Sequence, residues 1–204
     1  MYKAEKRERQ IISVKDAIRL PNLILDIRDK TMVLVLFKTG IRRKELLELN
    51  VDNIDFEAQS IILTPTPKRT NRTVFFDQET KIQLKRWLRV RENWSLDGNT
   101  KALFISRRGL RLSGQYLQNR IYKYATHAGL HDPNSKKPEN RFSPHCCRHW
   151  NNTHLLRAGM KCEYVKWLRG DVPRESIDIY YHIDPEEVKQ SYLNHMPIFG
   201  IWIC

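Results

Sequence analysis

Met32-Val33-Leu34-Val35-Leu36-Phe37-Lys38-Thr39-Gly40-Ile41-Arg42-Arg43-Lys44-Glu45-Leu46-Leu47-Glu48-Leu49 is the stretch on which the reading of this chain turns. Apolar residues run unbroken from Met32 to Phe37. With Ile24 and Ile27 ahead of them, the spacing predicts a buried helix over Ile24 to Lys38. Gly40 stops it, because glycine takes the left-handed conformation that ends helices at little cost. Arg42 to Leu49 then predicts a second helix, with Leu46, Leu47 and Leu49 packing inward.

Outward from this pair the pattern stays mostly helical. Ser13-x-x-Asp16 resembles a capping box opening a short helix. Ile61-Ile62-Leu63 and Thr73-Val74-Phe75-Phe76 read as short strands joined by a basic, turn-rich connection, Thr64 to Arg72. Asp77 caps a helix over Glu79 to Val90, Ala102 to Ile105 is a candidate third strand, and Ser113 to Ala128 is helical. Pro133 to Asn140 is a polar loop. Pro144 sits where a helix begins, which costs nothing because its missing N–H has no partner there. That helix carries His145 and Arg148 one turn apart, hence on one face, and ends at Gly159. Tyr164 to Leu168 is another short helix. Asp184-Pro185-Glu186-Glu187 opens the last, with a cap, a proline and two acids in the first turn. The expected fold is mainly α with a small antiparallel β-sheet (α+β). Residues 1–12 read as an extension or linker, 13–195 as the domain and 196–204 as an apolar tail.

Composition narrows the partners. The chain has 204 residues and a net charge of +13, with 41% apolar residues, enough for a core. Such a basic surplus favours a polyanion, either nucleic acid or an anionic surface. Six apolar residues in a row are far fewer than the roughly 20 that a spanning helix needs. The charged N-terminus has no apolar segment behind it and is not a secretory signal. An intracellular, cytoplasmic protein with no membrane partner is expected. Cys146 and Cys147 adjoin, poor geometry for a disulfide or zinc. With His149 and His154 they could be imagined as a metal cluster; reduced, partly buried thiols are the reading taken, and neither metal nor cofactor is expected.

Three blocks resemble one family, the tyrosine recombinases (phage-integrase family). Thr39-Gly40-Ile41-Arg42 through Leu49, followed by Asp52-Asn53-Ile54-Asp55, is similar to its first. His145-Cys146-Cys147-Arg148-His149 is similar to its second. Leu168-Arg169-Gly170-Asp171 with Tyr180-Tyr181-His182 is similar to its third. Lys68 falls on the hairpin where the family places a lysine. The resemblance spans about residues 10 to 195.

The resemblance implies a site-specific recombinase or integrase. Arg42 and Arg148 would neutralise the scissile phosphate, Tyr180 would attack it, His145 would take a proton and Lys68 would return one to the leaving oxygen. Arg69 and Arg72 compete for the role of Lys68, and Tyr181 for that of Tyr180. Glu45 and His182 are expected to brace the site from behind. The expected DNA surface comprises Arg43, Arg69, Arg72, Arg107, Arg108, Arg111 and Arg120. Double-stranded DNA is the implied partner, with self-association, a tetramer on DNA and a monomer when free. Ile198, Phe199, Ile201 and Trp202 suit docking on a neighbouring protomer; folding back on their own domain is the other reading. A non-catalytic DNA-binding protein and a type IB topoisomerase are the alternatives.

Two features depart from the family. Asp171 stands where a histidine or tryptophan is usual, and an ionised carboxylate cannot donate a hydrogen bond to phosphate. It would turn away to hold Arg169 or Arg174, orient a catalytic group, or mark reduced activity; the first two are favoured. Family members also usually carry an N-terminal helical domain that clamps the DNA. Only some twenty residues precede the catalytic region here, so a fragment or an unusually short member is expected.

Overall fold

In the computed structural model, residues 12–64, 72–94, 100–171 and 183–201 are described. Eight helices appear among them: α1 (Val14–Asn22), α2 (Ile27–Thr39), α3 (Arg43–Glu48), α4 (Gln78–Glu92), α5 (Gly114–His127), α6 (Pro144–Arg157), α7 (Cys162–Arg169) and α8 (Pro185–His195). Three antiparallel strands, β1 (Ile54–Asp55), β2 (Ser60–Leu63) and β3 (Arg72–Phe75), form a sheet in sequence order, with Ile61 opposite Val74. The mainly α fold with a small antiparallel sheet is as expected.

Local signals set the helix ends. The side chains of Ser13, Asp26, Asp77 and Ser113 accept backbone N–H groups at the starts of α1, α2, α4 and α5. Such caps satisfy donors that have no partner inside the helix. Asp26 starts α2 three residues later than the apolar pattern suggested.

α2 is the axis of the fold. Every side chain from Thr31 to Thr39 is buried, and the helix packs against α1, α3, α4 and α6. Each buried Leu, Val or Phe there contributes about 1.5–3 kcal/mol. α7 lies on β3, where Trp167 stacks on Phe75 with centroids 5.9 Å apart.

One expectation is corrected, and of the two readings of the tail the structure matches the second. Ala102 to Ile105 is no sheet strand: Ala102 bridges Asn50 and Ile105 bridges Arg111 in isolation, and β1 takes the third place. This apolar run is buried as a connection under Trp87 rather than paired along its length. The tail, as far as Ile201, folds back on its own domain. Phe199 and Ile201 are buried, Phe199 edge-on to Phe37 and Trp150; Ile198 is exposed, and Trp202 lies outside the described residues. Charge holds the tail in place. Lys38, wholly buried, donates to Asp77 (2.5 Å), to Glu79 and to the Pro197 carbonyl (2.6 Å). Glu79 in turn accepts the Phe199 and Ile201 amides at 2.7 and 3.3 Å.

Candidate active site

The turn after α2 organises the site. Gly40 has φ +61°, and a Cβ there would stand 2.6 Å from Asn151 Oδ1. Asn151 occupies that space because its amide donates to the Phe37 and Lys38 carbonyls, both at 2.8 Å, locking α6 onto the end of α2. The Gly40 carbonyl accepts from Arg148 Nη1 at 2.7 Å. Two residues on, Arg42 forms the N-cap of α3. Residues more than a hundred positions apart thus meet at one turn.

The C-terminus of α7 supplies the second wall. Its last carbonyls have no helical partner. Arg148 Nη2 donates to the Arg169 carbonyl at 3.2 Å, and Arg72 Nη1 donates to the Leu168 carbonyl. Glu45 joins the set from α3: it accepts Arg72 Nη2 and the Arg42 amide, each at 2.6 Å, and the Arg42 guanidinium at 3.4 Å. Gly170 completes the packing. It has φ +66°, and a Cβ there would fall 2.3 Å from Arg72 Cδ.

The cluster is strongly positive. Burial, then the charges of Arg42 and Arg72, lower the Arg148 pKa to about 10, with Arg169 adding to the effect and Glu45 opposing it. Burial alone would raise Glu45, but the charge of Arg72 and the Arg42 amide overcome it, and its carboxyl ends below the usual range. Two guanidinium groups, those of Arg42 and Arg72, thus contact one largely buried carboxylate, and the charges of Arg148 and Arg169 act in the same cluster. Arg148 and Arg72 lie inside, whereas the side chains of Arg42 and Arg169 are 35% and 45% exposed. An anion entering from solvent meets donors pointed by the fold, and charge-assisted bonds suit phosphate.

His145 is exposed at the second position of α6, the helix of Arg148. Asp171 pairs with Arg169, Oδ2 to Nε at 3.3 Å, one of the contacts expected for it. Lys68, Arg69, Tyr180, Tyr181 and His182 lie outside the described residues.

The expected DNA surface divides. Arg107 and Arg108 are exposed on the turn after Ile105, Arg107 over the Trp94 ring at 5.4 Å, and Arg43 is exposed with its guanidinium on Gln118 at 2.7 Å. Arg72 is a correction: it is buried beneath the site, where Glu45 and the Leu168 carbonyl need its two donors. Arg111 donates to the Leu47 and Leu49 carbonyls (2.6 and 3.0 Å), capping the end of α3. Arg120 pairs with buried Asp29 and with Tyr124. Arg72 and Arg120 are committed to the fold because a carbonyl and carboxylates out of water require donors; Arg111 is itself exposed, so its carbonyl contacts leave it on the surface.

Sequence reasoning missed Arg169 as a member of the cluster and Asn151 as its lock. The signals for Arg169 were its place beside Gly170 in the third block and its expected pairing with Asp171. Among the described residues no group of His, Cys, Asp and Glu is arranged to hold a metal, and no helix is long and apolar enough to cross a membrane.

The family profile described as "Phage integrase family" matches residues 6–187. The chain belongs to that family. A tyrosine recombinase XerC of Alcanivorax borkumensis is 31% identical over 168 residues, covering 82% of this chain and 52% of the relative. A tyrosine recombinase XerD of Yersinia pestis is 29% identical over 174 residues, covering 85% and 56%. The chain therefore spans about half the length of these curated relatives. Among solved structures, the XerA recombinase superposes with a TM-score of 0.71 at 25% identity, covering 94% of this chain and 67% of that one. The XerH site-specific recombinase, solved bound to its difH substrate, superposes at 0.68 with 20% identity over 94% and 56%, a likeness of fold.

Proposed function

We propose that this protein is a site-specific DNA recombinase or integrase of the tyrosine type, breaking and rejoining strands through a 3′-phosphotyrosyl intermediate. The observation that carries the reading is the convergence of Arg42 from α3 and Arg148 from α6 on one turn, Arg148 oriented by two backbone carbonyls and Arg42 by Glu45. A phosphodiester repels nucleophiles. Two fixed guanidinium groups offset that charge, and their bonds strengthen as negative charge grows in the transition state.

In this mechanism Tyr180 attacks the phosphorus. A free phenol has a pKa of about 10, so it needs a positive field and a base; the arginine cluster supplies the field and His145 takes the proton. Lys68 gives a proton to the departing 5′ oxygen. The phosphotyrosyl ester conserves the broken bond, so a second 5′ hydroxyl can reverse the step and exchange strands. Double-stranded DNA is the partner, held through phosphates by the +13 surplus and by exposed Arg43, Arg107 and Arg108, with the protein acting in the cytoplasm and self-associating on the DNA.

The test uses DNA from the gene's own neighbourhood, nicked so that cleaved ends are trapped, with a denaturing gel to reveal a covalent adduct. The expected result is an adduct lost in Tyr180→Phe and retained in Tyr181→Phe. Salt-sensitive DNA binding without any adduct defeats the reading in favour of a non-catalytic binder.

A further inference from the structure

Leu168-Arg169-Gly170-Asp171 closes α7, and Gly170, in its left-handed conformation, turns the chain between two opposite charges. The two side chains meet beyond that turn, Arg169 Nε 3.3 Å from Asp171 Oδ2, both partly open to solvent. The same residue's carbonyl anchors Arg148, so the Arg169 side chain springs from the wall of the arginine cluster. Its charge is also felt at Arg148, which it helps to hold below the ordinary arginine range.

The division of labour within the cluster is uneven. Arg72 is committed to Glu45 and the Leu168 carbonyl, and Arg148 to two carbonyls. The guanidinium groups that reach solvent are those of Arg42 and Arg169. An aspartate at the mouth of a phosphate site is unfavourable alone, because it cannot donate and it repels the ligand. Paired with a guanidinium it becomes useful. A carboxylate against Nε fixes the plane of a group that carries five N–H donors, so the pairing orients the fork.

We propose, resting on the recombinase reading above, that Arg169 is a phosphate-contacting catalytic residue of this site and that Asp171 is its positioning residue. The two together supply the hydrogen-bond donor that Asp171 alone cannot. Arg169 bonds a non-bridging oxygen of the scissile phosphate, beside Arg42, and no proton changes hands.

The experiment measures single-turnover cleavage of nicked DNA and, separately, DNA affinity at one salt concentration. It compares the unmutated chain, Arg169→Leu, Asp171→Ala, and the double variant Arg169→Leu with Asp171→His. Every variant keeps the residue 169 carbonyl and hence the Arg148 anchor. The expected result is a cleavage rate at least about tenfold lower in Arg169→Leu, as when one preorganised donor is lost, with affinity changed less than about threefold because many phosphates share the binding. Asp171→Ala loses less, since the donor remains but is no longer steered. The double variant recovers most of the rate, because histidine restores a donor at 171. Arg169→Leu cleaving at the unmutated rate, or the double variant cleaving no faster than Arg169→Leu, overturns the proposal while leaving the recombinase reading intact. An unmutated chain that forms no adduct overturns both.

Discussion

Replacing Gly170 by alanine isolates what the Arg72 packing contributes. Two costs are combined at this position. An L-residue in the left-handed region costs about 1–2 kcal/mol, partly offset by the about 0.4–1 kcal/mol that a stiffer unfolded chain returns. Gly129 bears that cost alone: its φ is +69° and nothing lies within 4 Å of an added Cβ. At Gly170 the new methyl would sit 2.3 Å from Arg72 Cδ, whose guanidinium is tethered at Glu45 and at the Leu168 carbonyl. Arg72 cannot swing aside without stranding both acceptors, about 2–4 kcal/mol more for two poorly solvated groups. Gly129→Ala should therefore cost about 1 kcal/mol and Gly170→Ala about 3–5 kcal/mol. Urea titration of both variants measures the difference. In a background carrying Arg72→Ala, Gly170→Ala should fall to the cost of Gly129→Ala, since coupling between neighbours disappears with one partner. Equal destabilisation by the two single variants, or full additivity with Arg72→Ala, would refute the reasoning.

Lys38→Met leaves Asp77 and buried Glu79 without their cation, and should destabilise by about 3–5 kcal/mol while speeding hydrogen exchange at the Phe199 and Ile201 amides that Glu79 holds; unchanged exchange there would show that the tail is held by its apolar contacts alone. Burial lowers the pKa of His154, which stacks on Trp150 beside the His195 carbonyl. Because the folded state binds that proton less readily than the unfolded chain, stability is complete above the ordinary histidine range near 6.5 and declines as the pH falls through it. Urea midpoints should drop between about pH 7.5 and 5.5, and less so in His154→Gln; an identical slope in that variant would assign the effect elsewhere, with His131, lowered in the same direction, the next to change.

Much of the fold was legible because its signals are local. Ser13, Asp77 and Pro144 mark helix starts by chemistry that acts within four residues, whereas the apolar run around Asp26 obscures the cap that sets the start of α2. Gly40 marks an end for the same reason. What failed was non-local. Ala102 to Ile105 has the composition of a strand, yet its neighbours offer it only isolated bridges. Arg72 and Arg120 look alike in sequence to the exposed Arg107, Arg108 and Arg111. Which of them is consumed by buried acceptors depends on carbonyls and carboxylates contributed by other elements.

The sequence by itself determined the helical class, the caps, the basic surplus and the family blocks around Arg42, Arg148 and Tyr180, since each is written in neighbouring residues or in overall charge. The tertiary structure alone decided that Gly40, Glu45, Arg72, Arg148 and the end of α7 form one cluster, that Arg169 stands at its mouth against Asp171, and that the tail lies under Lys38 and Glu79. The reason is one of range. Propensity and capping act over a single helical turn, whereas a buried charge is stable only where packing brings distant partners to it, and those partners are set by how the whole chain closes on α2.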